Sequence, residues 1–225
     1  MPHRHDPFAN TRVIETYITE TPRKVPGLAD LHRMTMLLLS EIAQKEARIL
    51  VVGAGGGMEL TALAEAQPEW SFAGVDPSSP MLELARRNVG ANAQRVKLVE
   101  GTIDVAPADE FDGATCLLVL HFLERRERLN TLMQIHQRLK PGARLVVAHH
   151  SAGAGDAALW LTRSAAFADR ANLSWERASA TAAAMAEGLP LLLASEDEAL
   201  MREAGFADVE LFYSALSFKG WVATA

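Results

Sequence analysis

Between Val51 and Glu59 the chain reads Val-Val-Gly-Ala-Gly-Gly-Gly-Met-Glu, and Asp76 closes the next apolar run, in GVDPSS. An apolar run that ends in glycines presents bare backbone, because glycine reaches left-handed dihedrals and has no Cβ to stand in a ligand's way. A carboxylate roughly 20 residues further on can accept both hydroxyls of a ribose. Each feature alone also serves simple chain reversal. Together they describe a place for a nucleoside.

Histidines are the other chemically useful set. His149 and His150 end an apolar run, and a neutral imidazole there could take a proton from a hydroxyl or amide acceptor near working pH. Neighbours on a strand face opposite ways, so at most one of the two reaches a pocket, and they do not share a metal ion. His121, in VLHFLE, is expected to help pack the sheet edge. His32 lies on a helix expected to fold over the ligand, and His3 and His5 belong to a polar tail. The single cysteine, Cys116, sits in an apolar run, which excludes disulfides and multi-cysteine metal sites. No metal site is expected. Trp160, Phe167, Trp175 and Tyr213 could line a substrate pocket, but their spacing in apolar segments predicts core positions.

The elements that must position these residues follow from the rhythm of the chain. From residue 48, RILVVGAG, WSFAGVD, VKLVEG, DGATCLLVL and ARLVVAHH read as strands, the last after a turn at Lys140-Pro141-Gly142. MELTALAEA, SSPMLELARRNVGAN and ERRERLNTLMQIHQRL read as helices between them, the second capped by Ser79 with Pro80 in its first turn. Strands that are apolar on both faces and alternate with helices build a parallel sheet covered on each side. Upstream, Leu28, Leu31, Met34, Leu38 and Ile42 recur at helical spacing, after about 25 mostly polar residues. Residues 151–194 read as alanine-rich helices forming a lid. In SEDEALMREAG, Ser195 and Glu198 are spaced as a capping box and Gly205 ends the helix. FADVELFYSALSFKGWVATA holds two strand-like runs too close for a crossover helix, hence an antiparallel hairpin.

The expected fold class is therefore α/β: a Rossmann-like, doubly wound, mostly parallel seven-stranded sheet with an antiparallel C-terminal hairpin and an N-terminal helical cap. One domain over 1–225 is expected, with a cap at 1–46, a ligand-binding core at 47–150, the lid at 151–194 and the helix and hairpin at 195–225. The 225 residues are 49% hydrophobic and 22% charged, enough to bury a core without staples. A formal net charge of -6 argues against nucleic acid as a partner, since phosphate backbones are bound by clustered cations. Arg125, Arg126 and Arg128 alternate with Glu124 and Glu127, the pattern of a solvated helix face. No stretch approaches the ~18 apolar residues of a membrane span and none resembles a signal peptide, so a cytoplasmic protein with no membrane partner is expected. A small-molecule substrate is implied, and a homodimer is left open.

Two ligand classes suit a glycine turn with a ribose carboxylate: dinucleotides and S-adenosylmethionine. The dinucleotide fingerprint needs glycines at relative positions one, three and six, and the sixth here is Met58. A pyrophosphate wants the positive end of the following helix, whereas S-adenosylmethionine has no phosphate and tolerates Glu59 there. The sequence resembles the class I S-adenosylmethionine-dependent methyltransferases, whose first strand runs into Gly-x-Gly-x-Gly. The resemblance extends from about residue 25 to the C-terminus through GVDPSSPMLELARRN, EGTIDVAP, FDGATCLLVLHFLE, RLKPGARLVVAHH and the closing hairpin.

That resemblance implies residue roles. Gly53, Ala54 and Gly55, with Gly57 as third glycine, would line the methionine and ribose, and Asp76 would hold the ribose hydroxyls. Pro77 and Met81 would flank the adenine, with Thr102, Ile103 and Asp104 at its other edge and Asp104 accepting from the exocyclic amine. Leu117 and Leu118 would pass beneath the cofactor. The family often carries an acid two positions before the first glycine, where this chain has Val51. The implied activity is direct in-line methyl transfer to a small molecule, leaving S-adenosylhomocysteine as product. VPGLADLHRMTMLLLSEIA, LHFLE, RANLSW and SFKGWVA are also similar to the bacterial carboxy-S-adenosylmethionine synthases of tRNA wobble modification. Those enzymes hold a second carboxylate with arginine and tyrosine. Here ASATAAAMAEG has no arginine and Leu28 stands at the tyrosine position, so methyl transfer is preferred. Such a synthase, or a cofactor-binding protein without catalysis, are the alternatives.

Overall fold

The computed structural model describes residues 11–108, 110–152 and 155–225; His3 and His5 lie outside them. Seven strands form one sheet in the order β3-β2-β1-β4-β5-β7-β6. They are β1 Arg48–Val52, β2 Ser71–Asp76, β3 Val96–Glu100, β4 Phe111–Leu117, β5 Leu139–His150, β6 Ala207–Ala215 and β7 Phe218–Thr224. The first five pair in parallel, and β7 enters antiparallel between β5 and β6. The sheet reverses direction of growth at β1, so the carboxyl ends of β1 and β4 border a crevice, the usual ligand site of open α/β sheets. β5 starts at Leu139, before the Lys140-Pro141-Gly142 turn, because Phe111 pairs with Leu139 across an irregularity between Phe111 and Gly113.

Alternation along the strands divides the core. Leu50, Val52, Leu145 and Val147 face one layer, with Trp221, Ile135 and Leu200. Ile49, Val51, Leu117, Val146 and Ala148 face the other, with Leu31, Leu60 and Leu63. The first layer is covered by α5 (Arg125–His136) and α8 (Ala194–Glu203), the second by α2 (Leu28–Ser40), α3 (Met58–Ala66) and α4 (Ser79–Val89). Among the described residues no helix is long and apolar enough to cross a membrane.

Helix starts fall slightly off the sequence expectation. The Ser78 hydroxyl, one residue before Ser79, accepts from the Met81 N–H and caps α4. α8 begins at Ala194, and Glu196 accepts from the Leu193 N–H at 2.8 Å, so Ser195 and Glu198 form no box. Glu198 instead accepts from the Trp221 indole at 3.2 Å. Two helical features were not legible. Residues Thr11–Lys24 form α1 despite their polarity, and Ile42, beyond the end of α2, is exposed.

Residues 151–194 carry α6 (Ala157–Ala168) and α7 (Trp175–Gly188), which pack on each other; Leu161, Ser164 and Ala166 are buried on α6, and Ala178 and Ala182 on α7. The predicted aromatic core fails here. Trp160 and Phe167 are half-buried under the Arg163 and Arg170 guanidiniums, and Trp175 is 57% exposed, since alanine and serine take the inward positions. Tyr213 alone is buried, and its hydroxyl donates to the Pro26 carbonyl at 2.5 Å. Arg128 corrects the solvated-face reading of α5: it is fully buried and paired with Asp197 of α8, while its other contacts are the Leu123 and Pro190 carbonyls.

Candidate active site

The glycine turn joins β1 to α3 at the carboxyl edge of the sheet. Gly53, Gly55 and Gly57 have φ of 76°, 50° and 79°, a region L side chains seldom enter. A Cβ on Gly53 would stand 2.1 Å from Val119 Cγ2, so bare backbone is obligatory beside β4. Gly57 has a different duty: a Cβ there would meet the Ala85 backbone at 2.8 Å, so it lets α3 start against α4. The Gly53 and Ala54 N–H groups both donate to the Val75 carbonyl, which fixes the turn to the end of β2.

Asp76, ending β2, accepts from the Gly55 N–H with Oδ2 and from the Ser78 N–H with Oδ1, each at 2.9 Å. The predicted pair of glycine turn and acid therefore converges, with the carboxylate steering the turn through backbone. Met81 is buried and its methyl lies near Gly55, whereas Pro77 is exposed. Ile103 is buried in the core, but Thr102 and Asp104 are exposed and bonded to each other, and Asp104 also accepts from Gln134 of α5. Asp104 thus faces α5 in this structure. Leu117 and Leu118 line the cavity at the turn, Leu118 with φ 62°, a strained value for a branched side chain at a strand end.

Two residues unmarked in the sequence join them. Tyr17 of α1 lies against Gly55 and Gly56, its hydroxyl 3.2 Å from where a Gly55 Cβ would be. Burial, with Asp76 and Glu59 nearby, pushes its phenol up to about 12. Glu59, second residue of α3, is 7% exposed and its Oε1 has no hydrogen-bond partner. Burial pushes its carboxyl up to about 7, against the opposing effect of the Thr115 hydroxyl. His32 lines the same cavity and is held down to about 4 by burial. With Tyr17 in place that cavity measures about 20 Å³. The backbone cradle, the Asp76 carboxylate and the orphaned Glu59 oxygen fit an adenosyl ligand with a cationic end, which needs more room than the cavity leaves beside Tyr17.

A second cavity, of about 600 Å³, is lined by continuations of two segments that line the first. The segment after β4 links them, with Leu117 and Leu118 on the first and His121 and Phe122 on the second. So does α1, with Tyr17 and Thr21 on one and Lys24 on the other. Walls from α6 and α7 are small and apolar, including Ala165, Ala168, Ala184 and Met185. The two terminal histidines of β5 diverge as expected. His150 faces this cavity, stacked 3.8 Å from the Phe218 ring, while His149 points to the other layer, its Nε2 3.2 Å from Asp197 Oδ2. His121, expected to pack the sheet edge, lines the cavity beside His150, with ring centroids 5.1 Å apart. The apolar neighbours that suggested packing are the wall itself.

The imidazoles form an ordered set. His121 Nδ1 accepts from the His150 backbone N–H at 3.3 Å, and burial first, then the neighbouring histidines and Arg128, hold His121 well below the usual range. It is therefore neutral and carries its proton on Nε2. His150 Nδ1 is 2.7 Å from Ser217 Oγ, which lies 2.6 Å from Ser164 Oγ, and burial lowers His150 to about 4. Both rings are neutral at neutral pH, as a proton acceptor must be.

Residues 50–145 match the family model described as a methyltransferase domain. Over 94% of its length the chain is 26% identical to the carboxy-S-adenosyl-L-methionine synthase of Klebsiella pneumoniae, and it covers 88% of that relative. The Salmonella paratyphi C synthase is 28% identical over the same shares. Among solved structures, an O-methyltransferase family protein from Burkholderia thailandensis superposes with a TM-score of 0.64 at 17% identity, over 96% of this chain and 61% of that one. Human N-acetylserotonin methyltransferase in complex with SAM gives 0.60 at 16% identity, over 96% and 59%. The chain thus spans about three-fifths of these solved chains. Residues 50–145 are thus similar to a methyltransferase domain, and the strand order, glycine turn and terminal hairpin agree with the fold of the solved methyltransferases.

Proposed function

We propose that this protein transfers the methyl group of S-adenosylmethionine, in line, to a hydroxyl or similar acceptor atom of a small apolar molecule held in the cavity between β5, α6 and α7. One observation carries the reading: the residues after β4 run from the glycine-turn cavity directly into the histidine-lined one. A methyl group presented past Leu118 would meet an acceptor lying against His121 and His150. In this reading Gly53, Ala54 and Gly55 cradle the methionine and ribose, Asp76 holds the ribose hydroxyls, and Met81 and Ile103 stand at the adenine.

The sulfonium supplies the electrophile when bound. What falls to the chain is alignment, exclusion of water and a destination for the acceptor's proton. His150 suits that last task. With its Nδ1–H donated to Ser217, Nε2 presents a lone pair to the cavity, and the proton it takes can be shared along Ser217 and Ser164. His121, protonated on Nε2, would donate to a second oxygen of the acceptor and so orient it.

Calorimetry with S-adenosylmethionine, followed by transfer of labelled methyl to a panel of phenolic and aliphatic hydroxyl acceptors, tests the reading. Micromolar cofactor binding and methylated product are expected; NAD binding in place of S-adenosylmethionine would overturn it. The synthase relatives favour a second reading, formation of a carboxylated cofactor. The α7 wall of the cavity, Thr181, Ala184, Met185 and Gly188, offers no cation to a second carboxylate, and the lysine that lines the cavity is Lys24 of α1. Incubation with prephenate and mass spectrometry of the cofactor separates the two.

A further inference from the structure

Glu59 is a buried acid for which neither the fold nor methyl transfer itself provides an obvious use. It stands at the first turn of α3, and its carboxylate enters the cavity lined by Gly53, Ala54, Leu117 and Leu118. Its neighbour on the sheet is Thr115, which pairs in register with Val51 of β1. Residues paired across parallel strands point to the same face. The Glu59 carboxylate therefore hangs over Val51, where an acid grown from position 51 would also point. Val51 is itself completely buried.

A carboxylate with one oxygen orphaned and no cation beside it opposes folding in such a place unless something compensates it. No lysine or arginine is paired with Glu59 among the described residues, and His32 across the cavity is neutral. The other acid at the turn, Asp76, is committed to the Gly55 and Ser78 N–H groups on the β2 side. A cation from outside is the missing partner. S-adenosylmethionine brings two, a sulfonium and an α-ammonium. The sulfonium must lie toward Leu118 and the histidine cavity if its methyl is to reach an acceptor. That leaves the ammonium for the inner corner under α3.

We propose that Glu59 receives the α-ammonium group of the cofactor, so that the acid of this site is carried by the helix in place of the strand residue Val51. The assignment rests on the adenosyl-site reading above and deepens it. Glu59 at one end and Asp76 at the other would then grip the amino acid and sugar separately, across the bare backbone of Gly53 to Gly55.

Calorimetry with two probes decides it: S-adenosylhomocysteine, which has the ammonium, and 5'-methylthioadenosine, which has the same nucleoside and sulfur but no amino acid. Glu59→Gln is expected to weaken S-adenosylhomocysteine about tenfold to a hundredfold, the scale of one charge-assisted hydrogen bond, and to leave 5'-methylthioadenosine unchanged. Adding Val51→Asp to Glu59→Gln should restore most of the loss, since the new carboxylate points at the same corner. Equal weakening of both probes, or of neither, would overturn the proposal. Wild-type protein that binds neither probe would sink it together with the site reading. Wild-type protein that binds 5'-methylthioadenosine as tightly as S-adenosylhomocysteine would sink the ammonium contact alone.

Discussion

The two ends of the cleft are built from different materials. At the glycine-turn end the ligand surface is main chain held by an acid: Gly53 to Gly55 bound to Val75 and Asp76, with dihedrals that only a few residue types allow. At the α6–α7 end it is side chain: two imidazoles, a phenylalanine and a serine pair brought together from the segment after β4, from β5, α6, the β6–β7 turn and the start of β7. Backbone chemistry is common to every residue, so a site made of it is conspicuous only through the glycines it demands, and those also hold it to one ligand class. A site made of side chains can be retuned one residue at a time. In the proposed function the first end would take the fixed cofactor and the second the changeable acceptor.

The sharpest way to break this contrast is from beneath the histidine end. Asp197 accepts from Arg128 and from the Ser151 hydroxyl, and lies beside His149, all buried. Removing it in Asp197→Ala strands a guanidinium in the core, and a loss of about 3–5 kcal/mol is expected by urea denaturation. A loss below 1 kcal/mol would mean that this end is not anchored through β5 to α8. At the other end, Asp76→Ala is expected to weaken S-adenosylmethionine by about 1.5–3 kcal/mol in calorimetry, the range of charged hydrogen bonds. Unchanged affinity would remove the acid from the ribose.

These two predictions also mark what the sequence makes legible. The strands, the sheet order and the Gly53–Asp76 pairing follow from periodicity, glycine sterics and a spacing of roughly 20 residues that one strand-helix-strand unit imposes. Arg128 and Asp197 look like two members of ordinary charged helices, because what buries them is α5 meeting α8, 69 residues apart. Tyr17 and His121 are hidden for the same reason. A tyrosine in a polar stretch and a histidine among leucines show their role only when α1 and α6–α7 close over the sheet. Where the sequence does mislead, at Trp160, Phe167 and Trp175, it is because small residues suffice where two helices approach closely, leaving the large rings outside.

Proton titration separates the histidines from Glu59 with opposite signs. His150 and His32 are held near 4 and His121 also well below 6.5, so the unfolded chain takes up protons that the folded one refuses. Their contribution to stability is full above pH 6.5 and is lost as pH falls toward 4. Glu59 keeps a proton up to about 7 that the unfolded chain releases near 4.5, so its contribution declines as pH rises through that interval. In thermal melts from pH 4 to 8 without cofactor, Glu59→Gln should raise stability at pH 8 by on the order of 2 kcal/mol and leave the acid limb intact. A parallel shift at every pH would contradict the assignment of the alkaline limb. The smallest effect belongs to the exposed ring of α7: Trp175→Ala should change stability by less than about 0.5 kcal/mol, and a larger change in the melt would mean that this ring is covered in solution.

The bond from Tyr213 to the Pro26 carbonyl joins residues 187 positions apart, tying the joint between α1 and α2 to the strand at the sheet's edge. On the ribosome, the helices carrying Tyr17 and His32 emerge early and can pack on α3, α4, β4 and β5 as these appear, but this tie waits for β6. A chain arrested before residue 207 would keep its glycine turn yet lack the bond that pins the α1–α2 joint beside it. It would also leave the β5 edge bare, inviting strand pairing with other chains. The last fastening of the helices over the glycine turn is thereby deferred until translation has passed β6.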